Sequence, residues 1–175
     1  MRPILPLFFL IFSLSPPHAA ISCPIERARY RMVHHPEFTV GFHRVEQKEH
    51  WISYLAFFFH SGQSNRTHWF MFDGGTARYI GLSPVGDVLA KGWTVPAVAG
   101  TSKPLDEPID GMDYLAGPAK WGFQTDTPML GDRRPGYILL PDLPEIMAHS
   151  AKPPETVPVD IFRYYRCVAR GDAGL

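Results

Sequence analysis

The alternation of apolar and polar residues along the chain predicts a protein built mainly of β-strands. Beyond the first 20 residues, the densest apolar runs lie in Trp51–Leu82, which contains three such runs separated by two turn signals, one of them Asp73-Gly74-Gly75. Asp-Gly is typical of the tight turns that join antiparallel strands. Both faces of the three runs are apolar, so we expect central strands that are covered on both sides. The predicted strands span residues 51–60, 68–72 and 77–82.

The turns also predict how these strands pair. A two-residue turn at Gly74-Gly75 places Trp69 opposite Ile80. A symmetric first loop places His60 opposite His68. One face then carries Phe57, Phe59, Trp69, Met71, Ile80 and Leu82, and the other carries Phe58, His60, His68, Phe70, Phe72 and Tyr79.

Further strands are predicted on both sides of this central meander. Residues 28–33 alternate polar and apolar, and residues 38–42 resume the strand pattern after Pro36, with a bulge expected at Gly41. The charged residues 43–50 read as the outer turn of a hairpin. Residues 158–167 form the predicted last strand.

The segment between residues 84 and 157 has a different composition. Twelve of the 18 prolines lie between Pro84 and Pro158, and we expect a long Pro-rich loop layer over the sheet. Short apolar pieces at residues 93–95, 112–115 and 137–140 predict edge strands or packed loops, and Pro144–His149 predicts a short helical turn. The predicted fold class is mainly β, an antiparallel sandwich or strongly curved sheet with little helix.

The first 20 residues have the layout of a secretory signal peptide. Arg2 precedes an apolar run from Ile4 to Leu14, and small residues follow up to Ala20. No later run reaches the roughly 18 apolar residues that a membrane helix needs. We therefore expect a single β-domain over residues 21–175, secreted or periplasmic, without a transmembrane segment.

Two cysteines, Cys23 and Cys167, suggest one disulfide in an exported protein. Such a bridge would place the last strand close to the first. An alternative is a lipid anchor, because Ala20-Ile21-Ser22-Cys23 loosely resembles a bacterial lipoprotein box. Ala20 stands where that box usually has leucine, and lipidation would leave Cys167 as a free thiol, so the sequence favours the disulfide.

Histidine is the residue type that most suggests chemistry. Six of the eight histidines lie between His34 and His68, and imidazole is a common ligand of zinc and copper. The predicted register makes His60 and His68 cross-strand neighbours, and His43 and His50 could complete a metal site. A cap of polar rings at the rim of the hairpin is the alternative. The remaining histidines of the cluster are His34 and His35.

Other candidates have weaker signals. Asp106–Asp113 holds four carboxylates but lacks the ligand order of a calcium loop. Ser61 and Ser64 beside His60 read as turn residues, and Asn65-Arg-Thr67 is a glycosylation sequon. Arg78 could meet a ligand, and Arg133-Arg134 reads as a solvated turn.

Charge and composition limit the partners. Lys and Arg total 17, as do Asp and Glu, and a neutral chain has no overall field to gather nucleic acid or anionic lipid. Aromatic residues make up 13% of the chain, and several are interleaved with the prolines, as in interfaces. The sequence therefore favours a non-enzymatic binding or structural protein of the cell envelope, with a protein partner and no cofactor. The alternative is a metal-binding protein or metallohydrolase that uses the His34–His68 cluster.

Overall fold

Within the described residues, eight antiparallel strands form one closed barrel in which sequence neighbours are also neighbours in space. The structure is a computed structural model that describes residues 23–46, 48, 51–73, 80–96, 111–118, 122–124 and 126–169. A 3-10 helix, Ile25–Arg27, precedes the first strand, and the α-helix α1, Leu143–His149, lies between the last two strands. The strands are β1 (Ala28–Met32), β2 (Phe38–Arg44), β3 (Leu55–Ser61), β4 (Arg66–Phe72), β5 (Ile80–Val85), β6 (Met112–Gly117), β7 (Tyr137–Leu139) and β8 (Phe162–Cys167).

The predicted fold class is confirmed. The protein is mainly β with little helix, and the curvature of the sheet is complete because β8 pairs with β1. The short helical turn predicted at Pro144–His149 is α1. Two of the short apolar pieces in the Pro-rich region are β6 and β7, and closure of the barrel leaves neither of them at an edge.

The predicted pairing of β3 with β4 is wrong by one position. His60 lies opposite Thr67, and Phe59 lies opposite His68. The strands continue to Ser61 and Arg66, which leaves a four-residue loop that ends at Asn65 with a φ of 54°. Because side chains alternate between faces, this shift moves every side chain of β4 to the opposite face relative to β3.

The predicted pairing of β4 with β5 is also wrong. Trp69 lies opposite Val85 instead of Ile80. The backbone N–H of Asp73 donates to the carbonyl of Gly81 at 3.1 Å, so the connection is longer than a two-residue turn. The residues around the predicted turn, 74–79, lie outside the described part of the chain.

Side chains fill the inside of the barrel. Five aromatic rings from β1, β2, β3, β4 and β6 meet there at centroid distances of 5.4–6.4 Å, most of them edge to face. An eight-stranded barrel is just wide enough for side chains to fill it. The rings belong to Tyr30, Phe42, Phe57, Phe72 and Tyr114.

Both ends of the barrel are covered by short helical segments. Leu143, Ile146 and Met147 of α1 join the interior core where β7 ends. Ile25 of the 3-10 helix joins the same core where β1 begins, beside the Cys23–Cys167 disulfide, which confirms the predicted bridge. Within the described ranges, no helix has both the length and the apolar character needed to cross a membrane.

A second apolar layer covers the outside of β3, β4 and β5. Trp51, in the connection between β2 and β3, is buried there and donates from its indole nitrogen to the carbonyl of Pro96 at 2.7 Å. The central strands are therefore covered on both sides, as predicted. This outer layer consists of Val45, Trp51, Ala56, Phe58, Trp69, Met71, Val85 and Val95, with Val88 and Trp93 packed against it.

Gly41 lies at the border of this layer and does not form the predicted bulge. Its pairing with both neighbouring strands is regular, opposite Arg29 of β1 and Phe58 of β3. A Cβ at this position would lie 2.8 Å from the Arg29 Cδ and from the Phe58 ring. The glycine therefore leaves room for the Arg29 side chain, which reaches across β2 and places its guanidinium 5.1 Å from the Phe58 ring centroid.

Candidate binding surface

The outer side of the β1–β8 pair carries exposed arginine side chains, whereas the outer side of β3 is covered by an apolar layer. In β1, Tyr30 and Met32 are buried inside the barrel, so Arg31 points outward and is exposed. In β8, Phe162 points inward, and Arg163 points outward and is exposed. The register places Arg31 directly opposite Arg163.

A β-bulge adds a further arginine to this side. Arg29 lies opposite Arg166 and Tyr30 opposite Tyr164, so Tyr165 is the extra residue in β8. Two guanidinium groups lie over the Tyr165 ring, with their carbon atoms 5.2 Å (Arg31) and 5.3 Å (Arg166) from its centroid. We call the outward side chains of Arg31, Arg163, Tyr165 and Arg166 the arginine face.

Within the described part of the chain, two guanidinium groups of the arginine face have no acidic side chain in ion-pair contact. Neither Arg31 nor Arg163 takes part in the ion pairs found among the described residues. The carboxylate of Asp160, two positions before β8, accepts hydrogen bonds from the His34 backbone at 2.8 Å and the Ile161 backbone at 2.7 Å. Burial alone would raise the pKa of Asp160, but these hydrogen bonds and the His34 ring lower it. Ion pairs among the described residues include His34–Asp160, His35–Glu37 and Arg66–Glu155.

Apolar side chains border the arginine face. Val33 and Ile161, joined by a backbone hydrogen bond of 3.0 Å, are 43% and 39% exposed, and Val159 is 75% exposed. On the other side, Tyr137 of β7 lies opposite Arg163, and its ring meets that of Phe123, which is 58% exposed. Exposed apolar patches on a protein surface often mark interaction sites.

The histidines predicted as a metal pair lie on opposite sides of the barrel wall. His60 faces outward, where its Nδ1 lies 2.9 Å from the Thr67 hydroxyl. His68 faces inward and stacks on Phe59. The reason is the one-residue difference in register, which turns one ring out and the other in.

The other described histidines of the cluster are His34, His35 and His43. His34 is bonded to Asp160, and His35 lies 3.7 Å from Glu37. His43 faces outward against Trp69, where burial and the positive charge of Arg29 lower its pKa. His50 lies outside the described residues. Among the residues that are described, no group of three or more His, Cys, Asp or Glu side chains is arranged to hold a metal ion. Metal binding stays a prediction, which calorimetric titration with zinc or copper tests.

Ser61 and Ser64 donate their hydroxyl hydrogens to the Glu155 carboxylate, which also pairs with Arg66 at 3.1 Å. Arg66 donates in addition to the carbonyls of Lys152 and Pro153, at 2.9 and 2.8 Å. Burial acts to raise the pKa of Glu155, but the two hydroxyls and the guanidinium lower it overall. This network attaches residues 152–155 to the β3–β4 loop, which explains both serines structurally.

The remaining candidates have structural explanations or lie outside the described residues. Asn65 is exposed in the β3–β4 loop, so its sequon stays an expectation. The Arg134 guanidinium stacks 3.5 Å above the centre of the Tyr164 ring. Arg78 and most of Asp106–Asp113 are not described.

Comparisons with protein-family models, with curated proteins and with solved structures each found no match to this chain. The surface must therefore be interpreted from its own residues. Sequence reasoning missed the arginine face, although one signal was present. The alternation in β1 marks Arg31 as outward, and the predicted disulfide places β8 beside β1.

Proposed function

We propose that this protein is a non-enzymatic binding domain of the cell envelope or the extracellular space. The predicted signal peptide and the disulfide support export. The proposed binding surface is the arginine face together with the apolar side chains that border it.

The observation that carries this proposal is the Arg31–Arg163 pair. Like charges directly opposite each other in an antiparallel sheet are unfavourable, and here the two outward side chains are exposed. Such an arrangement is easily removed by a single substitution, so its presence suggests a use other than stability. Arginine and tyrosine are also the residue types that concentrate binding energy in interfaces.

The test is affinity capture from the envelope and extracellular fractions of the organism that produces this protein, followed by quantitative mass spectrometry. The bait proteins are the native chain, Arg163→Glu and Arg44→Glu. Arg44 is exposed on β2, which does not pair with β8, so its substitution makes the same charge change away from the arginine face. We expect a protein that both the native chain and Arg44→Glu enrich and that Arg163→Glu does not.

Two outcomes would contradict the proposal. One is a set of captured proteins that Arg163→Glu enriches as well as the native chain does. The other is the absence of any protein enriched over a bait-free control. Circular dichroism of all three baits verifies that they are equally folded.

A further inference from the structure

The charge of the arginine face identifies the sign of its partner. Three guanidinium groups, those of Arg31, Arg163 and Arg166, project from neighbouring positions on two strands. The chain as a whole is neutral, so this local concentration of positive charge is not a consequence of composition. A partner surface with carboxylates would relieve the repulsion between Arg31 and Arg163 and supply charge-assisted hydrogen bonds. A second copy that used the same face would instead place arginines against arginines.

The positive charges on β1 and β8 belong to arginines and not to lysines, which gives further information about the class of partner. The chain has five lysines, at positions 48, 91, 103, 120 and 152, and none lies on β1 or β8. A planar guanidinium binds a carboxylate with two parallel hydrogen bonds and stacks on aromatic rings, as Arg31 and Arg166 do on Tyr165. Protein interfaces are enriched in arginine and tyrosine and depleted in lysine.

The apolar side chains at the border indicate that the anionic partner is a protein and not a polysaccharide or a lipid surface. Val33 and Ile161, joined by a backbone hydrogen bond, are exposed aliphatic residues two positions beyond the Arg31–Arg163 pair, and the exposed Val159 precedes Ile161 by two positions. A uronic acid polymer has no aliphatic side chains to cover these three edge residues. The three edge residues are β-branched, and the exposed ring of Phe123 lies on the opposite border beside Tyr137. Surfaces that insert into bilayers gather several large side chains such as Trp, Phe and Leu on one side.

From these observations we infer that the arginine face binds an acidic segment of another protein, with aliphatic side chains next to its carboxylates. This inference rests on the proposed function and specifies the partner of the same surface. Arg31 lies on β1, and Val33 follows two positions later, just past the end of the strand, which corresponds to about 7 Å of extended chain. Alternate residues of an extended partner segment have the same spacing.

The experiment uses a fluorescent peptide in which isoleucine, glutamate and glutamate alternate with threonine, and it measures fluorescence anisotropy. A second peptide has glutamine in place of glutamate. Anionic phosphatidylglycerol vesicles and polygalacturonate are the competing probes. We expect the acidic peptide to bind the native chain and Arg44→Glu, and to bind Arg163→Glu at least tenfold more weakly. We expect the glutamine peptide to bind the native chain at least tenfold more weakly than the acidic peptide does. Added salt should weaken binding of the acidic peptide.

The outcomes separate this inference from the proposed function. Equal binding of both peptides, or no binding of the acidic peptide below millimolar concentration, would overturn the inference. Binding of vesicles or polygalacturonate that depends on Arg163 and exceeds binding of the acidic peptide would overturn it too, while leaving a binding role for the face. The proposed function itself fails if capture does not depend on Arg163 or if no protein is enriched over the bait-free control, and neither result depends on the peptides.

Discussion

Outside β3 and β4 the barrel wall carries a second apolar layer, whereas outside β1 and β8 it is exposed and cationic. The outward side chains of β3 and β4 include Phe58 and Trp69, which are buried beneath Trp51 and Val95. On β1 and β8, outward side chains such as Arg163 remain in contact with water. The inward side chains of all four strands belong to the same packed interior.

The difference shows that one barrel wall combines a covered apolar region with an exposed charged region, which is the surface that we propose for binding. An apolar outward row must be covered, because leaving it in water forfeits the free energy of burial. A charged outward row needs no cover and stays available to a partner. Among the described residues, no apolar outer layer covers the β1–β8 pair, which we call the seam. The disulfide joins Cys167, which pairs with Ala28 at the end of β8, to Cys23, which precedes the 3-10 helix and β1.

Removal of a buried outer aromatic should give the largest effect. Trp51 is 1% exposed, and Trp51→Ala removes its ring and the hydrogen bond to Pro96. We expect a loss of about 3–5 kcal/mol in the free energy of unfolding, measured by urea titration. Tyr165→Ala on the arginine face is the matched variant, and it should cost only about 1–2 kcal/mol because each exposed cation–π contact is weak. Equal losses would remove the distinction between the two regions.

Loss of the disulfide should give the next largest effect and should act on the seam. The bridge spans 144 positions, and replacing both Cys23 and Cys167 by serine should lower the free energy of unfolding by about 2–5 kcal/mol. Hydrogen exchange should accelerate in β1 and β8 more than in β3 and β4. Addition of a reductant to the native chain should reproduce the loss and should leave the double variant unchanged. Uniform acceleration across all strands would show that the seam is no weaker than the covered side.

The apolar pattern predicted the covered region better than its register. The run from Leu55 to Phe59 is apolar on both faces, which correctly indicates a strand covered on both sides. The same property explains the error in pairing, because a shift by one residue still places apolar side chains on each face. Local turn geometry at Asn65 decides between the two registers, and the pattern does not contain that information.

For the arginine face, the sequence predicts the orientation of single side chains but not which of them lie close together. Alternation within each strand marks which side chains point outward, so Arg31 and Arg163 could be identified individually. Their proximity depends on closure of the barrel between residues far apart in sequence, which only the predicted disulfide indicated. The bulge at Tyr165, which brings Arg166 to the same side, has no signal in the sequence of β8.

Gly41 separates the two regions, and its substitution tests how tightly they meet. The Cβ of Gly41→Ala would lie 2.8 Å from both the Arg29 side chain and the Phe58 ring. We expect overpacking to lower the free energy of unfolding by about 1–3 kcal/mol in urea titrations. Gly86→Ala is the control, because its Cβ would be 3.8 Å from its nearest neighbour, Trp93. Similar values for the two variants would mean that the Arg29 side chain moves aside at little cost.

The pH dependence of stability should reflect the covered side more than the exposed one. Burial and the Arg29 charge lower the pKa of His43 in the folded protein, so the unfolded chain takes up a proton first as the pH falls. Stability should be complete above the ordinary histidine pKa of about 6.5 and should fall as the pH drops below it. His43→Gln should reduce this slope in thermal melts between pH 7 and 5. Burial lowers the pKa of His60 as well, so replacing both His43 and His60 by glutamine should reduce the slope further. An unchanged slope in both variants would contradict this account.

Arg163→Glu should give the smallest effect on stability, and its sign distinguishes a structural role from a binding role. The substitution replaces a like-charge pair with an Arg31–Glu pair, and the contacts of Tyr165 with Arg31 and Arg166 remain. We expect the free energy of unfolding to stay level or to rise by about 0.2–1 kcal/mol. Arg44→Glu, which has no such pair across the strand, controls for the change in net charge. A loss of more than about 1 kcal/mol would show that Arg163 supports the fold, because a substitution at a merely exposed site rarely costs that much. A gain in stability combined with loss of partner capture would mean that the exposed side of the barrel retains a repulsive pair for the sake of recognition.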